Sequence, residues 1–515
     1  MTPPSSSFDS LRKLLSEVAA LGSIQSLVSW DQETKMPDAG AGARAEQLAL
    51  LAGLVHERRV SSELADALAA CEEDEALAED PAVAADLREL RRELDRERRL
   101  PRELVESLAR AQSRGQEAWK AARAASDFST FQPTLEELLV LKRREAEALG
   151  VPEGGELYDA LLEGYEPGAR AAELEAVFGP LKERLSALIA ELTEQGTAPD
   201  ERCLDTPVDH DAQHAFGHEV LEAMGFDLSA GRVDIAAHPF CSGLAPGDTR
   251  LTTRYADQRW ADSLYGTMHE GGHGLYEQGL PKAEAFGLPR ANAVSLGIHE
   301  SQSRLWENLV GRSREFWVWA LPRARARFQG ALDGVELDEL FRAINTARPS
   351  FIRVDADEAT YNLHIMLRFD LERALLRGDL AVADLPGAWN EAFRDLLGLE
   401  VPDDARGCLQ DVHWSFGLFG YFPTYTLGNL IAAQLFEVAG RELGDLDAAF
   451  RAGEFAPLRA WLGEKIHDRG RILDTNGLVA EVCGGAIEAG PFLSSLSASL
   501  ERVYGVRLAV SAEKK

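Results

Sequence analysis

Cysteine is scarce: Cys71, Cys203, Cys241, Cys408 and Cys483 are the five in 515 residues. They are scattered, odd in number and never paired as CxxC, so neither a disulfide framework nor a thiolate zinc site is indicated. Reduced, mostly buried thiols are expected, and any metal chemistry must use histidine and carboxylate. Long apolar runs are also missing. No stretch approaches the roughly 20 uninterrupted apolar residues of a membrane span. The opening MTPPSSSFDSLRKLL lacks the short apolar core of a secretory signal, so a cytoplasmic protein with no membrane partner is the expectation. Basic charge is in deficit. Lys and Arg number 54 against 85 Asp and Glu, a net charge of −31 that repels phosphate backbones and excludes nucleic acid as a general partner. There is no low-complexity linker, no repeat of fixed period and no Pro/Gly/Ser-rich hinge.

What is present is an ordinary globular balance, 45% hydrophobic and 27% charged, with chain enough for a sizeable core. Length alone suggests about three domains. Without a dividing linker, one mostly α body fits better, with an N-terminal helical lobe over about residues 1–200 and a catalytic part over about 201–515.

Helical spacing dominates the first half. Apolar residues recur at three and four from Leu11 to about Cys71, interrupted by WDQETKMPDAG (Trp30 to Gly40). DLRELRRELDRERRL (Asp86 to Leu100) reads as a surface helix laced with ion pairs, and Pro101 opens the next. Thr134 and Glu137 form a capping box that starts a helix ending at Gly150. Further helices are expected over Ala171 to Gln195 and Asp211 to Gly225. Between Gly231 and Tyr255 the pattern shortens to RVDIAAHPF, a turn SGLAPGD, and TRLTTRY, which predicts a small β-hairpin. Helix then returns to the C-terminus.

The sharpest feature is GTMHEGGHGLYEQGLP, carrying HExxH at His269, Glu270 and His273. Asp257 as N-cap, Gly279 near the C-terminus and Pro281 as a stop place it on the last turns of a helix. Histidines four apart project from one face, the spacing that lets two imidazoles share a zinc ion. Glu270, turned about 100° away, stands beside the water whose pKa zinc lowers; it can take that proton and pass it to a leaving amine. Roughly one chain in fifty of this composition would carry HExxH by chance. Gly271 and Gly272 argue against accident, because two glycines within a helix each sacrifice about 1 kcal/mol and mark a place where something approaches closely.

A third ligand is needed. GIHESQSRLWENLVG offers Glu300, with His299 rotated away to orient a carboxylate. Glu307, two turns on, competes only if the helices cross lower, and Glu277 on the motif's own helix is poorly placed for tetrahedral geometry. His210, His214 and His218 also recur every four residues, but no Glu follows the first and the helix is amphipathic, so a solvated or core-edge helix is the expectation.

HPF (His238 to Phe240), DTRLT (Asp248 to Thr252), HEGGH (His269 to His273), HESQ (His299 to Gln302), IRVDAD (Ile352 to Asp357) and GCLQDVHW (Gly407 to Trp414) occur in that order. With these strings the chain resembles the carboxypeptidase Taq family of thermostable metallocarboxypeptidases, over nearly its whole length. The resemblance implies a mostly helical body with a deep groove, beside which the small hairpin read from Gly231 to Tyr255 would lie near the site. It also implies a homodimer, a zinc or cobalt ion, and removal of single residues from peptide C-termini. It implies His269, His273 and Glu300 as ligands and Glu270 as general base and acid. Carried onto IRVDAD, it makes Arg353 the clamp for the substrate's terminal carboxylate, a role suited to a guanidinium fork. The bland alternative is a structural pair with Asp355 or Asp357. Likeness to related helical zinc peptidases makes His413 and Tyr425 donors to the oxyanion. His238, Asp248, Arg250 and Thr252 are expected to line the site from the hairpin, unless Asp248 and Arg250 form a structural pair.

Two other functions compete. One is an oligopeptidase or dipeptidyl carboxypeptidase on the same scaffold; the other is a non-catalytic helical binding protein with a vestigial HExxH. The acidic surface should favour basic peptides over acidic ones.

Overall fold

The computed structural model describes residues 6–508, so Met1–Ser5 of the opening stretch read for a secretory signal lie outside it. Long helices pack around the HExxH segment, beside one three-stranded sheet. The helix Ala171–Gln195 has the predicted bounds, and His210–Met224 departs by a residue at each end. The helix expected from Thr134 instead begins at Phe128 and ends at Leu149. Asp127 is its N-cap, accepting from the Ser129 amide, and Pro133 is accommodated inside rather than marking a start. Trp30 to Thr34, read as loop, is the last turn of the helix Ser6–Thr34.

The expected hairpin is a three-stranded sheet of order β1-β3-β2, with β1 Gly231–Ile235, β2 Cys241–Ala245 and β3 Asp248–Thr253. The antiparallel partner of β3 is β2, while β1, the predicted hairpin arm, runs parallel to it. Its return to β3 runs through the His238–Phe240 loop and the whole of β2, the long crossover a parallel pair needs.

The motif helix spans Trp260–Gly279, and its N-cap is Arg259, not Asp257. Arg259 is left-handed at φ 59°, which costs roughly 1–2 kcal/mol for a side chain with a Cβ. Burial of Trp260, 1% exposed, offsets that strain: a Trp hides ~200 Å², contributing about 5 kcal/mol. Its indole donates to Cys203 O at 3.2 Å and meets Trp317 edge-on.

The largest apolar core runs from Ala122 to Leu508, without a break near residue 200. A smaller one joins Phe8, Leu11, Leu68 and Leu87 of the N-terminal helices to Ala285 and Leu288, just beyond the motif helix. All five cysteines are free thiols, three of them buried.

Candidate metal centre

Both glycines of HEGGH face close neighbours. A Cβ on Gly271 would stand 2.5 Å from Leu221 Cδ2 of the helix His210–Met224. One on Gly272 would stand 2.7 Å from the Cα of Ser303, so the helix Leu296–Arg304 can cross the motif helix only because side chains are absent there. On its other side that second helix meets Pro423–Leu443 at Gly428, whose Cβ would lie 2.6 Å from Glu300 Cβ. Glu300 is thereby wedged between two helices and aimed at the histidines.

His269 Nε2 lies 3.7 Å and His273 Nε2 3.5 Å from Glu300 Oε2. Among the described residues this is the one group of three or more His, Cys, Asp or Glu donors close enough to hold a metal ion. Ligands at about 2.0–2.1 Å in tetrahedral array sit roughly 3.4 Å apart, so the two imidazole–carboxylate distances need contract by only a few tenths of an ångström.

Each imidazole is oriented from behind. His269 Nδ1 donates to Glu307 Oε2 at 2.8 Å, and His273 Nδ1 donates to the His299 carbonyl at 3.0 Å. Both Nε2 lone pairs then face the shared point, the tautomer a metal requires. Glu307 reaches this position because Leu305–Val310 is a π-helical turn, with Gly311 N bonded to Trp306 O five residues back. That wide turn re-aims Glu307, which sequence spacing presented only as a rival ligand. His299 contributes its carbonyl to His273 and stacks on its ring at 4.3 Å, while its own Nε2 meets Glu277 Oε1 at 2.9 Å. Lys282 pairs with the other oxygen of Glu277.

The electrostatics favour a cation. Burial alone would depress His269, but Glu300 and Glu307 outweigh it and hold the imidazole up at about 9, so without a metal a proton takes the Nε2 lone pair and a bound cation would displace it. His273 is pushed down to about 3 by burial and by neighbouring His299, leaving its lone pair free. Glu300 stays ionised despite burial because Arg304, with Nε 2.7 Å from Oε1, and His269 hold it well below the usual range. Glu270 is 6% exposed, and among the described residues no protein group hydrogen-bonds its carboxylate. Burial lifts it to about 7 against the pull of His269.

Arg353 is 6% exposed. Its partner is neither Asp355 nor Asp357 but Asp411, met by both Nε and Nη2 at 2.9 Å, while Nη1 donates to Tyr361 OH at 3.0 Å. Tyr361 leads back to the metal trio, since the Arg304 guanidinium lies 4.4 Å from its ring. Asp411 also takes Arg368 at 2.6 Å and lies 3.9 Å from His413 Nδ1. His413 Nε2 and Tyr425 OH come together at 3.4 Å, and Tyr425 is one turn before Gly428 on the helix that abuts Glu300. Arg304, Tyr361 and Asp411 are parts that sequence reasoning missed. An i,i+4 Glu300–Arg304 spacing was the available signal for the first, and Asp411 stood unassigned inside QDVHW.

The sheet residues divide. Asp248 and Arg250 form a pair at 2.9 and 3.0 Å, and Arg250 lies over the Trp30 ring at 4.3 Å, the structural alternative raised above. The Thr252 hydroxyl donates to Phe240 O and accepts from Phe240 N, closing the His238–Phe240 loop. His238 is exposed and has no hydrogen-bond partner among the described residues. The rival histidines His210 and His214 are exposed, and His214 meets Tyr255 OH at 2.8 Å.

A family model described as carboxypeptidase Taq (M32) metallopeptidase matches residues 10–500. Thermostable carboxypeptidase 1 of Thermus thermophilus is 46% identical over 511 residues, 98% of this chain and 100% of that protein. Carboxypeptidase 1 of Bacillus subtilis is 35% identical, covering 95% of this chain and 97% of that one. The crystal structure of the M32 carboxypeptidase from Deinococcus radiodurans R1 superposes with a TM-score of 0.94 at 39% identity, over 98% of this chain and 100% of that one. The fold, the histidine–carboxylate centre and these likenesses together establish that the chain belongs to the carboxypeptidase Taq family and is a metallocarboxypeptidase.

Proposed function

We propose that His269, His273 and Glu300 hold a zinc ion, or cobalt, and that the enzyme removes single residues from peptide C-termini. The observation that carries this is the convergence of two Nε2 atoms and one carboxylate oxygen, each imidazole fixed from behind. Two nitrogens and one oxygen suit zinc, and three protein ligands leave a position open for substrate or water. A bound divalent ion supplies Lewis-acid polarisation and a water of lowered pKa.

Glu270, with its pKa near neutrality and no protein partner, takes the proton of the attacking water and delivers it to the leaving amine. His413, pushed down to about 4 by burial, is a neutral donor, and with Tyr425 OH it meets the oxyanion that develops on the scissile carbonyl. Arg353 receives the substrate's terminal carboxylate, its guanidinium held by Asp411 and Tyr361. His238, Asp248, Arg250 and Thr252 shape the wall from the sheet, Thr252 by fixing the loop that carries His238. The helical lobe, about 1–200, and the catalytic part, about 201–515, share one apolar core from Ala122 onward and act as a single body.

We also place the protein in the cytoplasm as a homodimer. Free cysteines support the compartment. The helix Ala41–Arg59 has no buried residue, while Leu50 is 65% and Leu54 38% exposed, an apolar face a second copy would cover. Among the described residues no helix is long and apolar enough to cross a membrane.

The test is mass spectrometry of products from matched peptides with free and amidated C-termini, with added zinc or cobalt. A ladder shortened one residue at a time from free ends alone is expected. Cleavage of the amidated set, or release of dipeptides, would reject the assignment.

A further inference from the structure

Away from the metal centre, four guanidiniums line one cavity of about 300 Å³: Arg92, Arg96 and Arg99 from the helix Pro81–Arg99, and Arg170 from the facing segment. Positions 92, 96 and 99 recur at four and three, so they share a helix face, where like charges repel one another. Arg92 is neutralised by Glu89 and Glu163. The other three have no carboxylate partner among the described residues. Arg96 donates to Ala160 O at 3.1 Å, Arg99 to Leu149 O at 2.7 Å, and the Arg170 side chain has no hydrogen bond or ion pair among the described residues. Most buried or half-buried arginines elsewhere in this acidic chain, such as Arg304, Arg353 and Arg373, do have carboxylates.

The cavity's own acids are already engaged. Asp159 accepts from the amides of Ala171 and Glu156, Glu163 is taken by Arg92 and the Gly168 amide, and Asp95 lies 3.7 Å from Arg91. Arg170 is moreover the N-cap residue of the helix Ala171–Gln195, which adds the positive end of a 25-residue dipole. Three spare guanidinium forks and no free acid in a cavity of this size match an oxyanion with several acceptor oxygens.

We infer that this cavity binds a phosphate-class dianion, joining the helix Pro81–Arg99 to the segment from Tyr158 to Arg170. Such a ligand has a route to the metal centre. Tyr165 O accepts from Leu296 N at 3.1 Å, and Glu166 accepts from Gly297 N at 2.9 Å, both at the start of the helix that carries Glu300. The site is independent of the catalytic roles assigned above.

The experiment is calorimetric titration of the metal-loaded, full-length enzyme with inorganic phosphate at constant ionic strength, followed in parallel by ³¹P line broadening. One saturable site per chain is expected. Arg170→Gln, which removes a side chain without protein partners, should weaken binding about tenfold, the effect of one charge-assisted hydrogen bond. Arg96→Gln with Arg170→Gln should abolish it; because the Arg96 change also loses the Ala160 contact, the single Arg170 variant carries the test. A non-saturable response overturns the inference. So does binding that survives Arg170→Gln unchanged, or that survives it and vanishes when the metal is removed, which would put phosphate at the metal centre instead.

Discussion

His269 and Glu307 share a hydrogen bond of 2.8 Å, with Glu307 presented from a π-helical turn. Glu307→Gln removes the negative charge behind the imidazole while keeping an acceptor. We expect zinc affinity to fall about 10- to 100-fold, the usual effect of losing a ligand's outer partner. Competition against a fluorescent chelator measures it. Unchanged affinity would show that the turn has no part in the metal site.

Glu270→Gln keeps the size of the side chain and loses its proton-transfer ability. Turnover should drop by about 10²–10⁴-fold, the range for positioned acid–base groups, while metal content stays stoichiometric. Loss of metal along with activity would make Glu270 a structural residue instead.

Gly428→Ala places a methyl group where Glu300 stands, since its Cβ would come 2.6 Å from Glu300 Cβ. Overpacking of this kind costs about 1–3 kcal/mol and forces the two helices apart. A lowered melting temperature with weakened metal binding is predicted. Gly463→Ala, inside the helix Ala456–Lys465 with nothing within 4 Å, is the control that should leave metal binding alone and raise, not lower, the melting temperature.

Asp411 is opposed by burial but held well below the usual carboxylate range by Arg353 and Arg368. A folded-state pKa below the unfolded value of about 3.9 means that the native state releases the proton more readily. Its contribution to stability is therefore complete above that value and fades as pH falls through the folded pKa. Asp411→Asn should cost about 3–5 kcal/mol near neutrality, because two buried arginines lose their partner. Urea midpoints for both proteins at a series of pH values should converge in strong acid. A gap that stays constant with pH would refute the ion-pair account.

The parts of the site carried by short-range spacing were legible. HExxH on a helix, Glu300 on the next and two glycines at a close crossing follow from the period of 3.6 and the absence of side chains. What escaped depended on contacts distant in sequence. The counter-charge of Arg353 comes from Asp411, 58 positions away, not from the aspartates two and four residues on. Glu307 needed a π turn, which leaves no mark in apolar periodicity. The parallel placement of β1 is decided by the path of the chain through β2 and by its ladder with β3, neither of which its own alternation records. The helix at Phe128 was misjudged because Pro133 and Thr134 imitate a start, whereas Asp127 performs the capping.

Glu166 is buried and sits 131 positions before Gly297, whose amide it caps at 2.9 Å; Thr475 and Ser295 complete its cage. The orientation of the helix bearing Glu300 thus depends on a residue from the first third of the chain. On a ribosome, the metal trio would be synthesised well after Glu166 yet before Thr475, and could settle only when the last of these segments emerged. A fragment beginning near residue 201 would contain every proposed ligand and still lack the clasp that holds one of them in place.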